Sequence, residues 1–170
     1  AGLHVPAAAG SRLTVFRSIF ADIGDEQSIT DSVSTFSGHI KNIVTMDKQL
    51  RSPSLVLLDE VGAGTDPAEG AALGAAIIEH FRQKGAIVVA TTHDEILKTY
   101  AATTDNVTCA GFGFNSETFA PTYELTYGAP GRSLAFEIAA RLGIAETIIK
   151  TAQERRSARE NDLADHLSKV

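Results

Sequence analysis

Apolar runs alternate with segments of helical periodicity along the first part of the chain. Leu13–Phe20 is rich in β-branched and aromatic residues and predicts a strand, whereas the polar stretch Asp22–Ser32 predicts a loop. Leu55–Leu58 and Ala86–Ala90 are continuous apolar runs, which are typical of strands buried on both faces. Helical spacing of apolar residues lies between these runs, so the pattern predicts an α/β fold with a parallel sheet core.

Caps and breakers mark the expected helices. Ser34 or Thr35 is placed to cap a first helix, which we expect to end at Pro53. An alanine-rich helix is expected over Ala68–Lys84, and a short third helix is expected to end at about Tyr100.

The pattern changes in the C-terminal part. Asn106–Phe114 and Thr118–Thr126 predict an antiparallel hairpin, which we expect at the sheet edge. A helix is expected over Leu134–Leu142, followed by a charged helix from Ala145. We therefore predict one domain over residues 1–150 and a charged helical tail or linker over residues 151–170.

Composition narrows the class of protein. The chain has 170 residues and a formal net charge of −6, which suits one globular domain and argues against a stand-alone basic nucleic-acid binder. A single cysteine excludes an internal disulfide framework and a cysteine-rich zinc site. The uncharged runs are shorter than the roughly 20 apolar residues that span a bilayer, and the first ten residues do not have a signal-peptide pattern. We expect a cytoplasmic protein without a membrane partner, whose first residues look internal to a longer chain.

The strongest candidate for chemistry is LVLLDE, Leu55–Glu60. Two carboxylates follow a buried strand, at the end where open α/β sheets bind ligands. Asp59 is placed to hold a hydrated magnesium ion, and Glu60 is placed to orient or deprotonate a water molecule. This is the Walker B arrangement of a P-loop NTPase, and the alternative is a simple polar exit from the strand.

Three weaker signals accompany it. His93 follows the next predicted strand and could donate a hydrogen bond to a γ-phosphate or to the attacking water, unless it is a capping or core histidine. Ser34–Ser37 could form an anion site at a helix start, although an ordinary N-cap is the better explanation from these residues alone. Gly62–Asp66 allows close backbone approach and could cross a subunit interface, or it is a plain loop between strand and helix. We expect Cys109 to be a core thiol. His39 on the first helix could face a subunit interface, although an ordinary exposed residue is the better explanation.

Four ordered segments together resemble the ATPase domain of the MutS family. They are FADIGDEQSITDSVSTFSGHIKNI (Phe20–Ile43), LVLLDEVGAGTDPAEGAALGAAI (Leu55–Ile77), VVATTHDEILKTYA (Val88–Ala101) and PTYELTYGAPGRSLAFEIAARLG (Pro121–Gly143). The sequence is most similar to the MutS-II branch, whose full-length members carry a C-terminal Smr nuclease domain. STFS in place of STFM, the run Gly-Thr-Asp-Pro-Ala-Glu-Gly and the turn Pro-Gly-Arg-Ser are typical of that branch. The resemblance extends from about Gly10 to Lys150.

The resemblance implies an ABC-type P-loop NTPase fold that uses ATP and magnesium. It makes Asp59 the Walker B residue that holds magnesium through water, Glu60 the catalytic glutamate and His93 the switch histidine. It also implies nucleotide-binding positions in the ABC-type signature, in the loop that meets the partner subunit and in the Q-loop region, which are Ser34, Thr35, Gly64, Thr65, Asp25 and Gln27.

One part of the family pattern is absent from this sequence. A P-loop needs G-x-x-x-x-G-K-[ST], and none of the six lysines follows a glycine. The resemblance places this Walker A motif just upstream of the segment matched by residues 1–10. We therefore expect a fragment of the ATPase domain that alone binds ATP poorly and hydrolyses little or none.

The resemblance implies a homodimeric parent that couples ATP hydrolysis at the dimer interface to a nucleic-acid clamp. Branched or recombining DNA, or a stalled ribosome and its RNA, would be held by parts outside these residues. The alternative is a non-catalytic dimerisation or interaction module. A third possibility, another ABC-type head, is disfavoured because STFS stands where an LSGGQ-type signature would be.

Overall fold

The computed structural model describes residues 4–24, 35–115, 117–131 and 133–167, with the backbone alone at 35 and 158–167. The chain divides into two compact units, Ala1–Val107 and Thr108–Val170. The elements of the first unit are β1 (Ser18–Asp22), α1 (Thr35–Gln49), β2 (Ser54–Leu58), α2 (Pro67–Gln83), β3 (Ala86–Ala90) and α3 (Glu95–Thr103). Those of the second are β4 (Ala110–Phe114), β5 (Pro121–Tyr127), α4 (Ala135–Arg141) and α5 (Glu146–Leu167).

The first unit is built on a three-stranded parallel sheet in the order β1-β2-β3. Each pair of neighbouring strands is connected through a helix, as parallel strands require. The predicted α/β fold with a parallel core is therefore confirmed.

The core lies on one face of this sheet. Val56 of β2 and Phe81 of α2 are fully buried, and Met46 of α1 and Leu97 of α3 are nearly so. The other buried residues of this core are Leu58 on the same face of β2, Val61 in the loop after β2 and Ile77 in α2. Phe20, Val88 and Ala90 pack against them. All three helices thus contribute to one apolar layer.

The prediction that the strands are buried on both faces was wrong for the described residues. On the face opposite the core, Ile19, Ile87 and Val89 are 52%, 51% and 53% exposed. On the central strand, Leu55 lies between Ile19 and Ile87, and Leu57 lies beside Val89. Both leucines are half-buried. The difference arises because α1, α2 and α3, the helices described in the first unit, all pack on the side of Val56.

The first strand also lies later than predicted. Leu13 and Val15 are 74% and 89% exposed, and β1 begins only at Ser18. Register explains the shift, since β2 spans Ser54–Leu58 and pairs with β1 from Ser18 to Asp22. The ladder therefore extends β1 into Asp22, which the polarity of the sequence had placed in a loop.

The second unit contains the predicted antiparallel hairpin. β4 and β5 form a two-stranded sheet with Phe112 opposite Leu125. The side chain of Asn115 stabilises the turn by accepting hydrogen bonds from the N–H groups of Glu117 and Thr118, both at 2.9 Å. Cys109 just before β4 is half-buried. The position of the hairpin at the edge of the parallel sheet stays a prediction.

The two C-terminal helices fall close to their predicted positions. α4 covers the centre of the expected Leu134–Leu142 segment, and α5 runs through the expected tail as far as Leu167. The domain boundary at residue 150 stays a prediction. None of the helices in the described residues combines the length and the apolar content needed to cross a membrane.

Candidate functional site

Three strand ends meet at one edge of the parallel sheet. Asp22, Leu58 and Ala90 are neighbours in the last row of β1, β2 and β3. Asp59 and Glu60 follow β2, and Thr91 follows β3, so these residues leave the sheet side by side. The strand-end position predicted for the two carboxylates is the one observed, at the edge where open α/β sheets bind ligands.

Asp59 is half-buried and held from both sides. Its backbone N–H donates to the carbonyl of Asp22 at 2.8 Å, and its carboxylate Oδ1 accepts from the hydroxyl of Thr91. Thr91 is itself fixed, because its N–H donates to the carbonyl of Leu58 at 2.9 Å. The backbone of Asp59 is thereby fixed by the end of β1, and its carboxylate is oriented by the residue that follows β3.

The donor chemistry of this edge fits a hydrated magnesium ion. Magnesium in nucleotide sites is held by one or two carboxylates and otherwise by water and phosphate oxygens. Asp59 and Glu60 supply such carboxylates. Among the described residues no group of three or more His, Cys, Asp or Glu side chains is arranged to hold a metal, so an all-protein metal cage is not the arrangement seen here.

Glu60 adopts a backbone conformation that L residues rarely take. Its φ is +49°, its N–H donates to Thr91 Oγ1 at 3.0 Å, and its carbonyl accepts from the N–H of Ala63 at 3.0 Å. Such left-handed residues occur at turns and are enriched at functional sites. The side chain of Glu60 is exposed, so a water molecule can reach it.

The loop after Glu60 packs closely on the next helix. Gly62 has φ +87°, and a Cβ added to it would lie 2.2 Å from the carbonyl oxygen of Gly70 in α2. α2 begins at Pro67, and the side chain of Asp66 caps it by accepting from the N–H groups of Ala68 and Glu69 at 3.0 and 3.1 Å. Close backbone approach is therefore observed within the chain, and the crossing of a subunit interface by this loop stays a prediction.

Gly64 and Thr65, the positions expected to meet a partner subunit, are exposed. A Cβ added to Gly64 would lie 3.3 Å from both the Cβ and the backbone nitrogen of Phe36. The loop after β2 and the start of α1 are therefore direct neighbours.

A buried carboxylate joins β1 to α1. Asp22 is 6% exposed, its Oδ2 lies 2.7 Å from Nδ1 of His39, and its Oδ1 accepts from the amide of Asn42 at 2.9 Å. Because an ionised carboxylate only accepts, Nδ1 of His39 carries the proton in this pair. The expectation that His39 is an ordinary exposed residue was wrong, since its side chain is 18% exposed and packs towards β1.

A recess at the carboxyl edge brings several of these groups together. Its polar lining comes from Asp22, His39, Asp59 and Glu60, and the loop residue Gly62 borders it. Phe36, Ile40, Ile43, Leu73 and Ile77 supply apolar parts of the wall. Helix α1, the end of β2 and the following loop thus share one small cleft.

His93 lies outside the lining of this recess, at an exposed position after β3. Its neighbours organise the start of α3: Thr92 Oγ1 accepts from the N–H of Asp94 at 3.0 Å, and Asp94 caps the helix by accepting from Ile96 and Leu97. The switch role of His93 stays a prediction.

Other expected site residues lie outside the described part of the chain. These are Asp25, Gln27 and Ser34, and the side chain of Thr35 is outside it as well. The backbone of Thr35 begins α1, as the cap prediction required.

Two residues at this edge were missed by sequence reasoning. The polarity of Asp22–Ser32 predicts a loop at Asp22, and the sequence pattern singles out no role for Thr91. The signal for Asp22 was its place in the FADIG segment directly after an apolar run. Thr91 offered only its position beside the strand end, because two consecutive threonines have no distinctive spacing.

Comparison with known proteins gives a consistent result. The family model described as MutS domain V matches residues 1–160. The chain is 55% identical over 154 residues to the protein named Endonuclease MutS2 from Acetivibrio thermocellus, which covers 91% of the chain and 19% of that relative. It is 57% identical over 152 residues to Endonuclease MutS2 of Pelotomaculum thermopropionicum (89% and 19%) and 52% identical over 170 residues to that of a Geobacillus species (100% and 22%). The chain spans about a fifth of the length of the curated relatives that it matches.

Proposed function

The chain belongs to the MutS domain V family, a family of P-loop ATPase-type domains, and from this premise we propose that it forms part of the ATP-hydrolysing site of a MutS2-like protein. The observation that carries the proposal is the fixed pair Asp59-Glu60 at the carboxyl edge of the parallel sheet. Asp59 is oriented by hydrogen bonds from two sides, and Glu60 is exposed directly beside it. A Walker B pair needs this arrangement, with one carboxylate for the metal and one for water.

Each residue then has a stated role. Asp59 holds magnesium through a coordinated water, and Glu60 orients the attacking water and accepts its proton. His93 donates a hydrogen bond towards the γ-phosphate. Magnesium, when bound, supplies positive charge that offsets the charge on the phosphate oxygens.

We further propose that the complete site lies between two subunits. Ser34 and Thr35 at the start of α1 would reach the γ-phosphate bound by the partner, and Gly64 and Thr65 would meet the partner's surface. Asp25 and Gln27 would approach the metal and the attacking water from the Q-loop region. The contact between Gly64 and Phe36 supports this proposal, because it places the loop and the start of α1 on adjacent surface.

The phosphate-binding loop is the missing component. No lysine in this sequence follows a glycine, so backbone N–H groups of a G-x-x-x-x-G-K-[ST] loop must come from residues outside these 170. We propose that these residues alone bind ATP weakly and turn it over slowly or not at all. In the longer protein, the same residues act in a cytoplasmic homodimer.

The partners of the longer protein follow from the resemblance alone. The relatives are named as endonucleases, and we propose that ATP turnover controls the grip of a clamp on branched DNA or on a stalled ribosome. An Smr nuclease domain would be a separate part of that protein. The net charge of −6 supports placing the nucleic-acid contact on other parts of it.

The test of the ATPase role compares ATP binding and turnover by this chain and by the full-length product of its gene, each as wild type and as Glu60→Gln. Glutamine keeps the size of the side chain but removes the base, so ATP binding should persist while kcat of the full-length variant falls by about 10²- to 10⁴-fold. Glu154→Gln, an exposed change on α5, serves as the matched control.

Two results would contradict the proposal. Turnover by Glu60→Gln at the wild-type rate would remove Glu60 from its role. Turnover by the 170-residue chain alone would show that the phosphates are held by residues other than an external loop. The alternative is a dimerisation module, which the absence of a P-loop lysine from these 170 residues supports. A full-length protein that does not hydrolyse ATP but self-associates stably without it would favour this alternative.

A further inference from the structure

A single hydroxyl group contacts both carboxyl residues of the candidate site. Oγ1 of Thr91 donates to the carboxylate of Asp59 and accepts from the backbone N–H of Glu60 at 3.0 Å. A threonine hydroxyl has one proton to donate. Thr91 donates that proton to the carboxylate of Asp59, and a lone pair on its oxygen accepts the hydrogen bond from the N–H of Glu60.

The hydroxyl is held in place by the sheet. The N–H of Thr91 donates to the carbonyl of Leu58 at 2.9 Å, which continues the pairing of β2 with β3 by one residue. Thr91 therefore ties the exit of β3 to the exit of β2 at the point where the chain turns into Glu60.

Glu60 has a particular need for this contact. Its φ of +49° lies in the left-handed region, where a residue other than glycine persists only when its surroundings hold it. The hydrogen bond from its N–H to Thr91 is one such restraint, and the bond from Ala63 to its carbonyl is another. Loss of the first would free the turn that directs the side chain of Glu60.

We propose that Thr91 is a positioning residue that sets the geometry of Asp59 and of Glu60 together. This inference rests on the proposed ATPase function and adds to it a residue that acts through its bonds to Asp59 and Glu60. The hydroxyl orients the carboxylate that is proposed to hold the metal, and it restrains the backbone of the proposed base. Outer residues of this kind contribute strongly to metal affinity and activity.

The test separates the hydroxyl from the shape of the side chain. Thr91→Val has nearly the same shape without the hydroxyl, and Thr91→Ser keeps the hydroxyl. Thr45→Val is the matched control, because it removes an exposed threonine hydroxyl whose bond to the carbonyl of Lys41 lies within α1.

The first measurement uses the 170-residue chain without nucleotide or metal. Amide hydrogen exchange followed by NMR should show the Glu60 amide exchanging about tenfold faster in Thr91→Val than in the wild type. Thr91→Ser and Thr45→Val should keep its protection. Unchanged protection of Glu60 in Thr91→Val would overturn the positioning role.

The second measurement uses the full-length product. Thr91→Val should raise the magnesium concentration for half-maximal ATP turnover and lower kcat, each by about 10- to 100-fold, with little change in the binding of magnesium-free nucleotide. Thr91→Ser should restore both. A serine variant as impaired as the valine variant would overturn the role of the hydroxyl. Wild-type protein without magnesium-dependent turnover would instead overturn the proposed ATPase function, and the exchange measurement would still decide whether Thr91 holds the turn.

Discussion

Replacing Asp22 with alanine removes the acceptor that holds β1 to α1. The carboxylate is 6% exposed and accepts from His39 and Asn42 at 2.7 and 2.9 Å. Hydrogen bonds to a charged group each contribute about 1.5–3 kcal/mol, and donors left unpaired in a half-buried place add to the cost. Relief from burying a charge offsets part of this loss. We therefore expect Asp22→Ala to lower the free energy of unfolding of the first unit by about 3 kcal/mol.

Urea unfolding, followed by circular dichroism, measures this change. Asp22→Asn keeps an oxygen for the amide of Asn42 and should cost about half as much as alanine. Asp105→Ala, an exposed acid in the same unit, should change stability by no more than about 0.5 kcal/mol. A double-mutant cycle of Asp22→Ala with His39→Ala should show a coupling of about 1–2 kcal/mol.

Two outcomes would refute this reasoning. A loss of less than about 1 kcal/mol in Asp22→Ala would mean that water replaces the carboxylate without penalty, contrary to the cost of unpaired buried donors. Additive effects in the cycle would mean that the contact between Asp22 and His39 contributes nothing of its own.

Two further predictions concern α2 and its neighbours. Gly70→Ala should cost about 1–3 kcal/mol despite the better helix propensity of alanine, because its Cβ would lie 2.1 Å from the carbonyl oxygen of Gly62. Gly74→Ala, whose nearest contact is 3.3 Å, should cost less in the same urea experiment, and equal losses would contradict the clash. Burial raises the pKa of Tyr100, and its hydrogen bond to Glu79 at 2.6 Å raises it further. The neutral phenol of Tyr100 therefore stabilises the folded chain fully below a pH of about 10. This stabilisation is lost as the pH rises through the pKa that Tyr100 has in the folded protein. Tyr100→Phe should remove this loss of stability at alkaline pH. The measurement is Tm from pH 8 to 12, and the same slope of Tm against pH in the wild type and in Tyr100→Phe would contradict the prediction.

Local patterns were sufficient for most of the fold. Strand β3 has the predicted bounds, and α2 differs by one residue at each end, because an apolar run or a helical stripe is a property of neighbouring residues. The limits of β1 were different, since they depend on its register with β2. One-sided burial of the sheet also depended on where the helices pack, which periodicity in a single segment does not record.

The sequence by itself determined that two carboxylates, Asp59 and Glu60, stand at a strand end, and their chemical roles stay predictions. Two carboxylates after an apolar strand, a histidine after the next strand and the resemblance to MutS ATPase domains were enough to name Asp59, Glu60 and His93. Those inferences needed only short-range order along the chain.

Only the tertiary structure decided which groups hold the carboxylates at this edge of the sheet, Asp22 and Asp59. His39 meets Asp22 across 17 residues of sequence, and Thr91 meets Asp59 across 32. The contact between Thr91 and Asp59 arises because parallel strands bring their carboxyl ends into one row while a helix lies between them in the chain. His39 meets Asp22 because α1 packs against β1. Hydrogen-bond partners of this kind have no fixed sequence spacing, so the geometry of the folded sheet selects them.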